Sequence, residues 1–214
     1  MSEADAVIQK VYTAFERTPY PGDPFLLGGR EGCEPFEEVE PFRGKTDWRG
    51  IEVDFLDAHA GALSFFSEGA FRFFIPAYLV ADLRGQLQVA DPLFHLTHGF
   101  SDFSVKVPTR TRVFVIRSGK STLVNPRRYG AMTTFDYARF RLSVFTREEA
   151  CAIVSYLTHV RDQDQDGVSR PAIDAALNVF WLERARAAPP AEHLHQHVSD
   201  EEEYLAAIHQ DKTG

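Results

Sequence analysis

The chain has few cysteines, and they follow no recognised spacing. Cys33 and Cys151 are the two in 214 residues, far apart and outside any C-x-x-C pattern. Disulfide-stabilised secreted domains and zinc-binding modules need more cysteines at closer spacing, so the sequence disfavours both classes. We expect two free, buried thiols.

Long hydrophobic runs are also absent. The longest, in residues 63–79, is interrupted by Arg72 and Pro76 and falls short of the roughly 20 apolar residues that span a bilayer. The segment from Met1 to Lys10 has no basic stretch followed by an apolar one, which predicts no secretory signal. We therefore expect a cytoplasmic protein with no membrane association.

Recognised catalytic signatures are missing. Ser118-Gly-Lys-Ser121 resembles the end of a phosphate-binding loop, but Phe114 stands where that loop needs its first glycine. Ser64 and Ser67 lack the G-x-S-x-G turn of hydrolases, and neither cysteine lies in a motif typical of a nucleophile. The sequence thus identifies no catalytic residue and predicts no cofactor.

Two segments carry side chains of the kind that bind metals. Residues 162–167 match the first half of a calcium loop, but Ile173 occupies the twelfth position, where a bidentate Glu belongs. Three histidines alternate as in a strand, one way to build a zinc or nickel face: His193, His195 and His197. We expect a solvated connection at Asp162–Asp166 and a polar tail at the histidines. Whether either segment ever binds a metal stays open.

Phenylalanine, in contrast, is abundant, with 18 residues, and it is concentrated in one segment. Residues 63–79 hold six aromatic rings with Glu68 and Arg72 as the only charges. Ser67 can cap a helix from Glu68 to Leu83 that is apolar on nearly every side and kinked at Pro76. The sequence therefore predicts a mainly α protein, a single helical domain around this aromatic-rich helix.

Capping residues and periodicity predict the other elements. Further helices should follow Ser2, Thr46, Asp91, Thr146 and the residue before Pro171, with Thr146 and Glu149 forming a capping box. The Thr46 helix should run to Gly61. Residues 109–116 and 121–124 are typical of a small β-hairpin at about 109–124. We predict one globular domain at 1–187 and a polar C-terminal tail at 188–214 with a short helix.

Charge is unevenly distributed along the chain, whose net charge is −8. Residues 103–145 carry nine bases and one acid, giving +8, whereas 1–59 and 146–214 each carry 13 acids and six bases, giving −7. The basic segment could bind phosphate or nucleic acid, or it could neutralise the acidic segments within the fold. We favour the second interpretation, because an acidic protein repels polyanions at long range.

Arg72, the base within the aromatic helix, is the centre of a candidate binding site. A guanidinium in an apolar interior loses its hydration, so it needs carboxylates or other acceptors. We predict a partly buried ion pair either with Glu68, one turn earlier on the same helix, or with at least one acid of the proline-rich loop and the turn after it: Asp23, Glu34 or Glu37. This pair would pin the long proline-rich loop at 18–35 to the helix. If the ion pair also has a function, it would form the floor of a small polar pocket rimmed by Trp48 and Tyr78.

Several of these strings together resemble a known family. They are Ala14-Phe15, Pro21-Gly22-Asp23, Cys33-Glu34, Phe42-Arg-Gly44, Trp48 and residues 63–79, closed by Phe145-Thr146 and the helix ending at Leu157. The combination is similar to an uncharacterised bacterial family catalogued as a domain of unknown function, over about residues 8–85 and 140–182. The resemblance implies a small intracellular bacterial protein and brings no activity, cofactor or catalytic residue.

Two functional classes are consistent with the sequence. The first is a non-enzymatic binding or interaction protein, such as an inhibitor or immunity-type protein, which the small size, acidic termini and missing catalytic motifs favour. The alternative is a metal-assisted hydrolase or other enzyme whose site is assembled from scattered residues. We favour the first, with a protein partner and no nucleic acid; the oligomeric state is not predicted.

Overall fold

The computed structural model describes residues 2–28, 34–108, 112–124 and 131–187, which are mainly helical, as predicted. The α-helices are α1 (Glu3–Ala14), α2 (Glu34–Val39), α3 (Val53–Ala58), α4 (Ala62–Phe65), α5 (Glu68–Leu83), α6 (Pro92–Thr97), α7 (Thr134–Leu142), α8 (Arg147–Gln163), α9 (Arg170–Ala176) and α10 (Leu182–Arg186). The strands are β1 (Phe103–Pro108), β2 (Val113–Ser118), β3 (Leu123–Val124) and β4 (Met132–Thr133). Single 3₁₀ turns lie at Asp23–Phe25, Glu40–Phe42 and Trp48–Gly50, and a π-helical turn at Leu177–Trp181 joins α9 to α10.

The central helix is α5, and it begins and ends where the sequence predicts. The hydroxyl of Ser67 accepts a hydrogen bond from the N–H of Ala70 at 3.0 Å, which caps the first turn. Five of its large side chains are 0% exposed, as expected for a core helix: Phe71, Phe74, Ile75, Tyr78 and Leu79. The sequence of α5 is apolar all round because other elements cover it on nearly every side.

Aromatic rings form the core around α5. The ring of Phe74 meets Phe42 and Phe73 edge to face, each at 4.9 Å between centroids, and stacks on Phe66 at 5.0 Å. Tyr20, from the loop after α1, adds an edge contact to Phe74 at 6.2 Å. Edge-to-face and offset contacts are the arrangements that aromatic quadrupoles favour, so the high phenylalanine content is used in packing.

Helices α1 and α8 lie side by side, and α1 also packs on α5. Both begin with capping boxes, of which the one at Thr146 was predicted; in each, the N-cap hydroxyl accepts from the third residue's N–H and that residue's carboxylate accepts from the N-cap N–H. Three contacts pair later positions along α1 with earlier positions along α8: Glu3 with His159 (3.7 Å), Lys10 with Ser155 (3.1 Å) and Thr18, just after α1, with Glu149 (2.6 Å). The pair is therefore antiparallel.

The single helix predicted from Thr46 to Gly61 is wrong, because two elements occupy that span. Asp47 caps the 3₁₀ turn Trp48–Gly50 by accepting from the N–H of Arg49 at 3.0 Å, and α3 starts only at Val53. Ile51 and Glu52 between them are extended. Gly50 is a weak helix former and the aspartate competes for the backbone, which breaks the helix locally.

The predicted β-hairpin exists but is shifted towards the N-terminus. Strand β2 pairs antiparallel with β1, which precedes it, from Phe103 opposite Ser118 to Pro108 opposite Val113. The segment predicted as its partner instead forms β3, which pairs with β4. Residues 109–111 of the connection lie outside the described residues. The strand itself was predicted, whereas its partner was not.

One carboxylate fixes the turn that follows α5. The carboxylate of Asp57 in α3 accepts from the N–H groups of Gln88, Val89 and Ala90 at 2.8, 3.0 and 2.9 Å and so holds the turn after α5. Burial opposes ionisation, but these three hydrogen bonds outweigh it and lower the pKa of Asp57. Cys151 is free, as expected, but it is exposed and not buried. Cys33 and the tail at 188–214 lie outside the described residues.

Candidate functional site

Arg72 forms a buried ion pair between α5 and α8. Its Nε donates to both carboxylate oxygens of Glu149, at 3.0 and 2.8 Å, and the two residues are 9% and 1% exposed. A charge removed from water this far needs a partner, and breaking such a pair leaves the other charge uncompensated. The contact explains how an apolar helix accommodates an arginine. Arg72 is ion-paired, but Glu149 is not one of the four predicted partners.

Glu149 joins three parts of the fold through one carboxylate. Its Oε1 accepts from the hydroxyl of Thr18 at 2.6 Å and from Arg72, and its Oε2 accepts from the N–H of Thr146 at 2.8 Å and again from Arg72. Each oxygen therefore accepts two hydrogen bonds. The loop after α1, the middle of α5 and the N-terminus of α8 meet at this group.

The ion-pair partner differs from the carboxylates that the sequence suggested. Within the described ranges Arg72 pairs with Glu149, and no ion pair joins it to the four predicted acids, Glu68, Asp23, Glu34 and Glu37. Glu68 is buried on α5, and Glu34 and Glu37 are exposed on α2. A carboxylate on α8, 77 residues away in sequence, takes their place because α8 packs beside α1 over this part of α5.

Asp23 serves the loop in which it lies. Its carboxylate accepts from the hydroxyl of Tyr20 and from the N–H of Gly44 at 2.9 Å. These two hydrogen bonds, the first above all, lower the pKa of Asp23. Asp23 thus joins the described part of the proline-rich loop to Gly44 and not to Arg72.

Trp48 and Tyr78 do not rim a pocket beside Arg72. Trp48 stacks on Tyr12 at 5.4 Å and lines a separate cavity of about 40 Å³. Tyr78 is fully buried and donates to the carbonyl of His59 at 3.4 Å; burial raises the pKa of its hydroxyl. The predicted pocket rim is wrong, because these two rings pack elsewhere in the core.

Arg72 instead borders a cleft of about 900 Å³ between α1 and α8. Arg72 and Glu149 are buried and form its floor. Residues of both helices form its walls, including Lys10, Thr13 and Ala14 from α1 and Glu148, Cys151 and Ser155 from α8. The sequence suggested a small polar pocket beside Arg72 rimmed by Trp48 and Tyr78, whereas the cleft that the described residues form there is larger and is lined by α1 and α8.

The cleft carries charges of both signs. Four bases line it, Lys10, Arg17, Arg72 and Arg147, against three acids, Glu16, Glu148 and Glu149, which leaves 4 − 3 = +1. Arg184 lies behind the floor, where it donates to the carbonyl of Phe145 at 2.9 Å. Burial lowers the pKa of Arg184, and its charge acts on both Glu149 and Arg72.

Two nucleophile-type side chains line the cleft, but their hydrogen bonds do not activate them. Ser155 donates its hydroxyl proton to the carbonyl of Cys151 at 3.1 Å and accepts from the ammonium of Lys10 at 3.1 Å. A serine nucleophile must donate its proton to a base, whereas this one donates to its own helix. Cys151 contacts the carbonyl of Ala185 at 3.5 Å through its Sγ.

The acidic loop after α8 uses its carboxylates on the chain itself. Asp164 accepts from the N–H groups of Ser169 and Arg170, both at 2.9 Å, and Asp162 pairs with Arg161 at 3.0 Å. No group of three or more His, Cys, Asp or Glu residues suited to a metal occurs in the part of the chain that the structure describes. The three histidines of the tail lie outside that part.

Comparisons of the chain with protein-family models, with curated proteins and with solved structures gave no match. The resemblance to a bacterial family therefore stays an expectation from the sequence. Among the described helices none is both long and apolar enough to cross a membrane.

Thr18 and Glu149 are the site residues that the sequence did not identify as such. A signal for Glu149 was present, since the capping box places it in the first turn of α8. That pattern specifies a contact three residues away and says nothing about Arg72 or Thr18, which reach it only through the packing of α1, α5 and α8.

Proposed function

We propose that this protein is a non-enzymatic binding protein whose ligand or partner segment occupies the cleft between α1 and α8. The observation that supports this role is the cleft itself, about 900 Å³ in volume, with a charged floor already fixed by hydrogen bonds. Small-molecule sites commonly measure roughly 300–1,000 Å³, so a small ligand or a short segment of a protein partner fits. An inhibitor or immunity-type interaction in a bacterial cytoplasm is one form of this role.

The fixed floor favours binding over catalysis. A general base must present a free lone pair to the proton that it removes. Both oxygens of Glu149 already accept two hydrogen bonds each, so Glu149 could act as a base only by releasing Arg72, Thr18 or Thr146. The orientation of Ser155 argues in the same direction. The enzyme alternative thus has no activated group in the described cleft to support it.

The basic segment also supports a partner other than nucleic acid. Arg141 donates to the carbonyl of Leu63 at 2.6 Å, and its guanidinium lies 4.5 Å from the ring centre of Phe71. Arg139 lies 5.6 Å from the ring centre of Phe135. Arg141 thus links α7 to α4 and α5, whereas Arg139 contacts its own helix. Arginines engaged within the fold are less free to contact phosphates, which favours the interpretation that this segment serves the fold.

A cleft-filling variant tests the proposal. Thr13 is exposed on α1 and lines the cleft, so T13W introduces an indole there. Q163W adds the same side chain at the exposed end of α8, outside the cleft, and is the control. Each protein is immobilised and incubated with an extract of its source cells. Retained species are identified by mass spectrometry, purified and titrated by calorimetry.

We expect a retained species to bind wild type and Q163W equally and T13W at least about tenfold more weakly, a difference of about 1.4 kcal/mol. If every retained species binds T13W as tightly as wild type, the cleft is not the binding site. If wild type, but not T13W, converts a retained species to a product, the result supports the enzyme alternative.

A further inference from the structure

Part of the Arg72 guanidinium has no partner among the residues that the structure describes. Its Nε is used by Glu149, but Nη1 and Nη2, with four N–H donors, make no hydrogen bond within the described residues. The residue is nine-tenths buried, but neither of these two nitrogens is fully enclosed by the described protein. Because Arg72 lines the cleft, we infer that these donors open into it.

The N-terminus of α8 opens into the same space. Thr146 caps this 17-residue helix, and Arg147 and Glu148 of its first turn line the cleft. First-turn N–H groups have no partner within their own helix, and they give this end a partial positive charge that favours anions. The Thr146 hydroxyl accepts from the N–H of Glu149 at 3.3 Å. It does not cap the two preceding N–H groups, those of Arg147 and Glu148.

The charged groups at the floor also sum to a positive value. Arg72 and Arg184 contribute two positive charges and Glu149 one negative charge, or 2 − 1 = +1. Excess charge in a poorly hydrated site is unfavourable unless an opposite charge approaches it. An anion in the cleft would supply that charge without displacing Glu149.

We propose that the cleft binds a carboxylate group through Nη1 and Nη2 of Arg72, an inference that rests on the binding role proposed above. The planar fork of a guanidinium matches the two oxygens of a carboxylate. A phosphate dianion fits less well, because Glu16 and Glu148 also line the cleft. Three alanines along the walls suit a slim apolar chain behind the carboxylate: Ala6, Ala14 and Ala152. The ligand class is a small aliphatic acid or the C-terminal carboxylate of a peptide.

Titrations followed by two-dimensional ¹H–¹⁵N NMR test this inference. The probes are hexanoate, hexanamide and hexyl phosphate, and acetyl-tetra-alanine with a free or an amidated C-terminus. The Nε–Hε resonance of Arg72 is assigned by its loss in R72K, which keeps the positive charge opposite Glu149 and removes the fork. R170K makes the same change on α9, outside the cleft, and is the control.

We expect hexanoate to bind wild type and R170K at least about tenfold more tightly than hexanamide, as a charge-assisted pair predicts, and to move the Arg72 resonance. In R72K this preference should fall to less than about threefold, and T13W should weaken both probes. Tighter binding of the free peptide acid than of hexanoate assigns the carboxylate to a chain end, and the reverse assigns it to a small acid.

Equal binding of hexanoate and hexanamide to wild type overturns the carboxylate inference but leaves the binding role of the cleft intact. This comparison does not require any variant to fold. Tighter binding of hexyl phosphate than of hexanoate also overturns it, as does an unchanged preference in folded R72K. Probes that bind T13W and wild type alike contradict the binding role itself.

Discussion

Removing the Glu149 carboxylate should destabilise the protein strongly, and removing its partner as well should restore most of the loss. E149M leaves Arg72 buried without its counter-charge, and R72M leaves Glu149 buried without its counter-charge. Breaking one side of a buried ion pair costs about 3–5 kcal/mol. The double variant R72M/E149M has no unpaired charge and replaces both groups by apolar chains of similar length.

The double variant should not recover fully, because Glu149 has other partners. Loss of the capping box at Thr146 costs about 1 kcal/mol, and an unsatisfied Thr18 hydroxyl costs about 1 kcal/mol more. We therefore expect R72M/E149M to lie about 1–2 kcal/mol below wild type, although each single variant lies about 3–5 kcal/mol below it. The pair should show a coupling energy of about 4 kcal/mol or more, since the two single losses sum to at least about 6 kcal/mol.

Urea denaturation followed by circular dichroism gives the four free energies of this cycle. Equal slopes against urea concentration would show that unfolding exposes the same surface in each protein. The matched control is E148M, at the exposed neighbouring position of the same turn, which should change stability by less than about 0.5 kcal/mol. Single-variant losses that simply add in the double variant would refute the ion pair as the dominant contribution of both residues.

Three further predictions concern other parts of the fold. F74A should lose about 3–5 kcal/mol, because Phe74 is 0% exposed, whereas F36A, at 56% exposure, should change stability little; a loss below about 1 kcal/mol for F74A would make α5 peripheral. The pKa of Asp57 is lower in the folded protein than its ordinary value of 3.8, so its stabilisation is present above about pH 3.8 and is lost as the pH falls through the folded pKa. The difference in melting temperature between wild type and D57N should therefore shrink below about pH 4, and a constant difference would contradict this assignment. Gly99 has φ +92° and a Cβ there would lie 2.9 Å from its neighbours, so G99A should cost about 1–3 kcal/mol in urea, while G50A, with nothing within 4 Å, serves as the unstrained control; equal effects would argue against strain.

Local signals allowed the sequence to predict α1, α5 and α8 with their starting residues. Ser2, Ser67 and Thr146 each accept from an N–H three residues ahead, so the residues that specify the cap also form it. Tertiary packing does not need to be known for such a contact. The same reasoning failed between Thr46 and Gly61, where the helix breaks although the apolar spacing continues.

The partner of Arg72 could not be predicted for the opposite reason. The chain has 31 acidic residues, and sequence distance is a poor guide to which one an inward arginine meets. Glu149 is 77 residues away, and it reaches Arg72 because the antiparallel packing of α1 and α8 brings the first turn of α8 over α5. Of the acids favoured from the sequence, Glu68 is near Arg72 along the chain, and the other three lie in or just after the proline-rich loop, where Asp23 is already held by Tyr20 and Gly44.

The shift of the hairpin has a similar explanation. Alternation identifies β2 as a strand, but a strand can pair with the segment before or after it. Gly119 follows β2 with φ +133°, and a Cβ there would lie 2.4 Å from the Cα of Asp102. This glycine therefore permits a close approach beside the start of β1 at the open end of the hairpin. From sequence alone the same residue indicates a turn between β2 and β3.

The way in which Glu149 holds Arg72 also makes Arg72 better suited to a ligand than the arginines at the surface of the cleft. Arg17 and Arg147 are exposed, and a ligand that pairs with either must order a long side chain at a cost of about 0.5–1.5 kcal/mol. The guanidinium of Arg72 is already oriented in the folded protein by two hydrogen bonds from Nε to Glu149. In the binding mode that we propose, its Nη donors, unpartnered within the described part of the chain, therefore meet an incoming carboxylate without further ordering, so the contact that lets an aromatic helix contain an arginine would also prepare that arginine for binding.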